Sequence, residues 1–260
     1  SCLKSKDMVA IRMVFFFLLC LGLDLSAQTS QFNSFDGSKI VYTDEGEGKP
    51  ILLVHGFINT RKSWENTALK KDLLAKGYRV IIPDLRGNGD SDKPKGERAY
   101  LILLMDHLKI KRYKAIGYSR GSIVLAKLLT MDKRIKKAVL GGMGVDFTNP
   151  DWDRRIMFAK AFAGETNEIT QGAVDYARSI HADLLSLHLQ QKHQPVTSLR
   201  ELGAIRKRIL IITGDQDTDN GDPEKLQRAL PRAELQILEG DHNGTYKTKG
   251  FSEAIIDFLE

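Results

Sequence analysis

The sequence predicts an α/β fold: an eight-stranded, mostly parallel sheet flanked by helices, with a helical insertion late in the chain. Three observations predict it. Short runs rich in Val, Ile and Leu recur along the chain, and helical stretches fall between them. One interval of about sixty residues carries no strand signal, far more than an ordinary connection. With 260 residues, 42% hydrophobic and 28% charged, the chain can bury one substantial core and carry an insertion.

The first element is a leader. Lys4, Lys6 and Arg12 precede the apolar run 13–23, and the small residues Ser26 and Ala27 follow. That is the order of a secretory signal peptide, expected over residues 1–27 with cleavage after Ala27. Met8 is the expected start, which makes residues 1–7 upstream sequence. The run is short for a bilayer span, so no stable membrane insertion is expected after cleavage. Cleavage would also remove Cys2 and Cys20, leaving no thiol or disulfide. The expected destination is a periplasm or the exterior. The alternatives are an anchor formed by an uncleaved leader or by a lipid on Cys20, although Leu19 is bulky for a lipoprotein site.

Eight strands follow, at residues 31–35, 39–46, 50–56, 78–84, 113–119, 136–142, 208–214 and 233–239. Asp36-Gly37 separates the first two as a hairpin turn. The later runs are nearly continuous in Val, Ile and Leu, as parallel strands covered on both faces require. Helical periodicity marks 63–77, closed by Gly77, then 99–110, 122–130 and the terminal 251–260. Between the sixth and seventh strands, 151–163 and 168–191 read as two amphipathic helices. The expected division is a core of residues 28–146 and 205–260 with a helical cap at 147–204.

The net charge of +6 comes from Lys and Arg scattered among Asp and Glu, with no basic run interleaved with aromatics. This excludes nucleic acid as an expected partner and reads as a solvated surface. His181, His188 and His193 lie in the cap without acidic or Cys partners at ligand spacing, so no metal site is expected.

Gly117-Tyr118-Ser119-Arg120-Gly121 falls where the fifth strand meets a helix. Such a turn projects the serine hydroxyl above the sheet, and side chains at its glycines would strike the neighbouring strand or helix. A serine nucleophile needs a base. Of the six histidines, His242 follows the last strand, where active-site groups collect in open α/β sheets. Asp215, Asp217 and Asp219 follow the seventh strand, so the chain order is Ser, Asp, His.

Here the sequence resembles the α/β-hydrolase superfamily over nearly its whole mature length. The matching stretches are LLVHGF (52–57), GYRVIIPDLRGNGDSDKP (77–94), GYSRG (117–121), LIITGDQD (210–217) and EGDHN (239–243). The resemblance implies a triad of Ser119, His242 and Asp217, with Asp215 or Asp146 as fallback acids. It also implies an oxyanion hole from the backbone N–H groups of Phe57 and Arg120, with His55 ordering its loop. The segment 84–91 resembles a bracing loop.

The expected activity is hydrolysis of an ester or related acyl bond, lactones and thioesters included, through an acyl-enzyme and without a cofactor. Ser119 argues against epoxide or halide chemistry, since relatives of those kinds carry Asp at the elbow. A carbon–carbon bond hydrolase acting on diketone-like compounds is one alternative, and a low-turnover ligand-binding protein is another. The expected partner is a small acyl substrate. Met143, Phe147, Trp152 and Phe158 are its expected apolar contacts. The Arg120 side chain is a candidate for a substrate carboxylate, against the plainer expectation of a salt bridge to a neighbouring loop.

Overall fold

The computed structural model describes residues 28–93 and 100–260; the expected leader at 1–27 lies outside the described residues. The strands are β1 (Gln28–Asn33), β2 (Lys39–Glu45), β3 (Lys49–Val54), β4 (Tyr78–Pro83), β5 (Tyr113–Tyr118), β6 (Ile135–Gly141), β7 (Arg208–Gly214) and β8 (Ala233–Leu238). They form one sheet in the order β1-β2-β4-β3-β5-β6-β7-β8. β1 and β2, and β2 and β4, pair antiparallel, and every other neighbour is parallel. β1 ends earlier than expected. Ser34 and Gly37 close the hairpin with backbone bonds, and the Asp36 carboxylate accepts from the Ser38 N–H at 3.0 Å.

The helices are α1 (Ala68–Ala75), α2 (Tyr100–His107), α3 (Arg120–Met131), α4 (Asp153–Phe162), α5 (Gln171–Ser179), α6 (Leu184–Lys192), α7 (Leu199–Gly203), α8 (Pro223–Ala229) and α9 (Lys249–Leu259). Two helices expected from the sequence are shorter than periodicity suggested. Residues 61–64 form a 3-10 turn, and Thr67 then caps α1 by accepting from the Lys70 N–H. The expected helix at 168–191 is two helices, because His181 turns the chain at φ +56° and Asp183 caps a new start at α6.

Alternation along each strand divides the core between the two sheet faces. Leu52, Val54, Ala115 and Leu140 face the side covered by α2, α3, α7 and α8. Ile51, Leu53, Ile116 and Val139 face α1 and α9, where Phe251, Ile255 and Phe258 pack. Each such Leu, Ile, Val or Phe side chain contributes about 1.5–3 kcal/mol on burial.

Helices α4 to α6 hold a separate small apolar cluster of Ala161, Phe162, Val174, Ala177 and Leu187. Helix α7 does not belong to it: Leu202 is buried in the main core, and Glu201 pairs with Lys127 of α3 at 2.7 Å. Helix α6 rests on the loop after β4. Gln190 of α6 donates to the Arg86 carbonyl at 2.9 Å and to Asn88 Oδ1 at 2.7 Å. Gly87 (φ +77°) makes this approach possible, since a Cβ there would lie 2.7 Å from Ser186 Cβ.

The parallel register brings the ends of β3, β5, β7 and β8 to one edge. Val54 pairs with Gly117, Tyr118 with Gly141, Gly141 with Ile212, and Gly214 with Leu238. The loops that carry His55, Ser119, Asp217 and His242 therefore emerge side by side.

Candidate active site

Ser119 stands between β5 and α3 at φ +55° and ψ −123°, a conformation that costs a non-glycine residue on the order of 1–3 kcal/mol. Its surroundings enforce that turn. A Cβ on Gly121 would lie 2.1 Å from the Val54 carbonyl oxygen, and one on Gly117 would lie 2.5 Å from the Gly121 carbonyl oxygen. The turn is also tied to β6 by the Ser119 N–H, which donates to the Gly141 carbonyl at 2.9 Å.

His242 bridges the other two residues. Its Nε2 lies 2.9 Å from Ser119 Oγ, and its Nδ1 lies 2.6 Å from Asp217 Oδ2. An Nδ1–H donating to Asp217 leaves Nε2 to accept the serine proton, the tautomer a base needs. The Asp217 side chain is 2% exposed, against 21% for His242. Thr213 adds a longer contact to Asp217 Oδ2 at 3.4 Å, while Oδ1 is buried without a hydrogen-bond partner among the described residues.

The fallback acids do other work. Asp215 Oδ1 accepts from the Gly240 N–H at 3.0 Å and so closes the β7 loop onto the β8 loop. Asp146 lies against Gly221, where a Cβ would come within 2.3 Å of its Oδ1. Neither has a hydrogen bond to His242 among the described residues.

His55 is 1% exposed and fully spent. Its Nε2 accepts from the Leu85 N–H at 3.0 Å, so its protonated Nδ1 donates to the Gly56 carbonyl at 2.8 Å. Burial, opposed by that backbone bond, holds its pKa down to about 4. A neutral imidazole thus pins the β3 loop to the β4 loop. The β4 loop is braced in turn by buried Asp84, which accepts from the Arg61 N–H at 2.7 Å and the Asp90 N–H at 2.9 Å and pairs with the Arg61 guanidinium.

In the β3 loop, Gly56 lets the backbone approach the nucleophile, since a Cβ there would lie 3.3 Å from Ser119 Cβ. Neither the Phe57 nor the Arg120 N–H makes a backbone bond among the described residues. Ile58 holds φ +61°, rare for a β-branched residue. The Phe57 ring meets Phe162 of α4 edge-on at 5.3 Å, which joins this loop to the α4–α6 cluster.

Tyr118 is a site residue that sequence reading missed. Its hydroxyl donates to the His242 carbonyl at 2.6 Å, and its ring lies 5.4 Å from the imidazole. Burial, with Asp217 nearby, pushes its phenol well above the ordinary tyrosine range. A Cβ on Gly141 or Gly142 would come within 2.7 Å of this ring. The Gly-Gly pair ending β6 was the available signal, and it makes room for Tyr118.

The expected apolar contacts divide. Met143 and Phe147 are 2% and 1% exposed within the main core. This corrects their expected role, because packing against the sheet leaves them almost no surface for a substrate. Trp152 and Phe158 are only partly buried; Phe158 packs beside the α4–α6 cluster and under the Arg154 guanidinium at 4.8 Å.

The class follows from fold and sequence together. A family model described as the alpha/beta hydrolase fold matches residues 49–196, more than half of the chain, and the chain belongs to that family. It is similar to a putative non-heme chloroperoxidase of Synechocystis, 38% identical over 109 residues, which are 39% of each chain. It is also similar to a 2-hydroxymuconate semialdehyde hydrolase of Pseudomonas, 34% identical over 113 residues, 40% of each chain. The chain thus spans about two-fifths of the length of these curated relatives. In fold, it matches the enol-lactonase of Burkholderia xenovorans with a TM-score of 0.74 at 22% identity, covering 88% of this chain and 99% of that one.

Proposed function

We propose that this α/β-hydrolase-fold enzyme is a serine hydrolase that cleaves an ester or related acyl bond, lactones and thioesters included. The supporting observation is the unbroken chain of contacts from strained Ser119 through His242 to buried Asp217. In this reading Ser119 Oγ attacks the acyl carbon while His242 Nε2 takes its proton. The N–H groups of Phe57 and Arg120 hold the oxyanion. His242 gives the proton to the departing oxygen or sulfur, which breaks the acyl bond and leaves an acyl-Ser119. A water then attacks that ester with His242 again as base, releasing the acid and restoring the serine. Asp217 orients the imidazole and stabilises its cation.

Helices α4 to α6 act as the substrate-facing cap in this proposal, with Trp152 and Phe158 as apolar contacts. Export to a periplasm or the exterior is proposed from the leader and is checked by N-terminal sequencing of secreted protein. An intact leader would overturn cleavage near Ala27.

A fluorophosphonate probe should label Ser119, and purified protein should hydrolyse short p-nitrophenyl esters. An unlabelled serine in folded protein would overturn the serine-hydrolase reading. The similarity to the semialdehyde hydrolase favours one rival, carbon–carbon bond hydrolysis with the same three residues. Faster turnover of a diketone than of any ester, lactone or thioester would establish it.

A further inference from the structure

Among the described residues, Arg120 is a cation without a counter-ion. It makes no ion pair or side-chain hydrogen bond among the described residues, and its Nε is shut off from water with no partner. Other buried or partly buried guanidinium groups are engaged. Arg61 pairs with Asp84 and Asp90, and Arg155, whose Nε is likewise unpartnered, donates through its two terminal nitrogens to the carbonyls of Gln191 and Pro150. Burial without an anion lowers the Arg120 pKa, opposed by Tyr100. Arg120 is partly buried, and a partly desolvated charge without a partner is unfavourable; its usual resolution is a partner of opposite sign.

The place of this charge is informative. Arg120 begins α3, so its Cα is about 3.8 Å from that of Ser119. The titratable groups that act on it are Tyr100, at the start of α2, and His55, at the end of β3. Both belong to the edge of the sheet where Ser119 emerges. Tyr100 supplies a second unspent donor: its oxygen accepts from the Arg86 N–H at 3.3 Å, and its own proton meets no acceptor among the described residues.

We propose that Arg120 sets substrate specificity and that the substrate is an acyl compound bearing a free carboxylate, such as a half-ester of a short dicarboxylic acid or a carboxylated lactone. The carboxylate pairs with the planar guanidinium fork, for which arginine is suited. Tyr100 O–H adds a hydrogen bond to the same anion. The short backbone separation between Arg120 and Ser119 limits the distance from reacting carbonyl to carboxylate, which favours short diacids. The proposal deepens the hydrolase reading and rests on it.

The test compares p-nitrophenyl half-esters of succinic, glutaric and adipic acid with p-nitrophenyl butyrate. The readout is the ratio of kcat/KM between charged and neutral ester, so a general loss of activity cancels. Wild type should favour at least one half-ester, and Arg120→Gln should cut that preference by on the order of 10- to 100-fold. Arg120→Lys should keep part of it, and Tyr100→Phe should lower it less. A structural arginine would lose thermal stability when replaced, whereas Arg120→Gln should leave Tm equal or higher.

An unchanged ratio in Arg120→Gln, or a wild-type preference for the neutral ester, would overturn the proposal. Calorimetric titration with glutarate separates the two readings. If Ser119 resists the fluorophosphonate, the hydrolase reading fails, yet glutarate bound by wild type and not by Arg120→Gln still supports the anion site. Equal glutarate binding by both proteins, or none by either, sinks it.

Discussion

Two histidines leave the same edge of the sheet and do opposite things. His55, after β3, gives one nitrogen to a backbone N–H and the other to a backbone carbonyl. His242, after β8, gives one nitrogen to a carboxylate and the other to a hydroxyl. The first is sealed and held neutral with its pKa near 4, whereas the second keeps a fifth of its side chain open. Residue type therefore says little about the role. A proposed base needs a partner that stabilises its cation and one that can lose a proton, and His55 has neither.

The largest expected break comes at the β8 histidine. His242→Ala or Ser119→Ala should reduce ester turnover by at least ~10⁴-fold, measured as kcat on a p-nitrophenyl ester. Asp217→Asn should cost ~10³–10⁴-fold by disturbing the tautomer, with the protein still folded by circular dichroism. Asp215→Asn should cost much less, since Asp215 binds a backbone N–H; the reverse ranking would move the acid to Asp215.

At the β3 histidine the expected loss is in stability. His55→Ala should lower unfolding free energy by about 1–3 kcal/mol, because it strands the Leu85 N–H and Gly56 carbonyl in the interior. The pH dependence has a definite sign. A folded pKa near 4 lies below the ordinary 6.5, so the unfolded chain binds more protons between those values. The His55 contribution is complete above about pH 6.5 and is lost as pH falls through the folded value near 4. His55→Gln should flatten that part of the stability profile in urea titrations at pH 7 and pH 4.5. An identical slope would refute the assignment.

The smallest expected effect sharpens the comparison. Tyr118→Phe removes the hydrogen bond to the His242 carbonyl and leaves the ring in place. A several-fold fall in kcat with little change in KM is expected, since the loop carrying the base loses one tether. A change in KM alone would argue that Tyr118 contacts substrate instead.

Much of this was legible in the residues. Runs rich in Val, Ile and Leu marked the central strands β3 to β7, since a parallel strand buried on both faces needs an apolar side chain at nearly every position. Gly117 and Gly121 around Ser119 marked a sharp turn, since close approach of backbone excludes a Cβ. Helix ends were harder to read. The break at His181 depends on a cap from Asp183 and a left-handed residue, and the periodicity of 168–191 carries neither. The apolar character of Met143 and Phe147 was equally silent, because a core residue and a pocket residue look alike until their neighbours are known.

The sequence by itself determined the order of the elements, the turn at Ser119 and the residue types available at each strand end, because these depend on local patterning. Tertiary structure alone decided which groups meet. Strand register, a long-range property, placed Tyr118 over Gly141 and Gly142, gave His242 rather than His55 a carboxylate, and left Arg120 without one among the described residues. Burial and charge pairing are set by neighbours distant in the chain, and local sequence does not carry them.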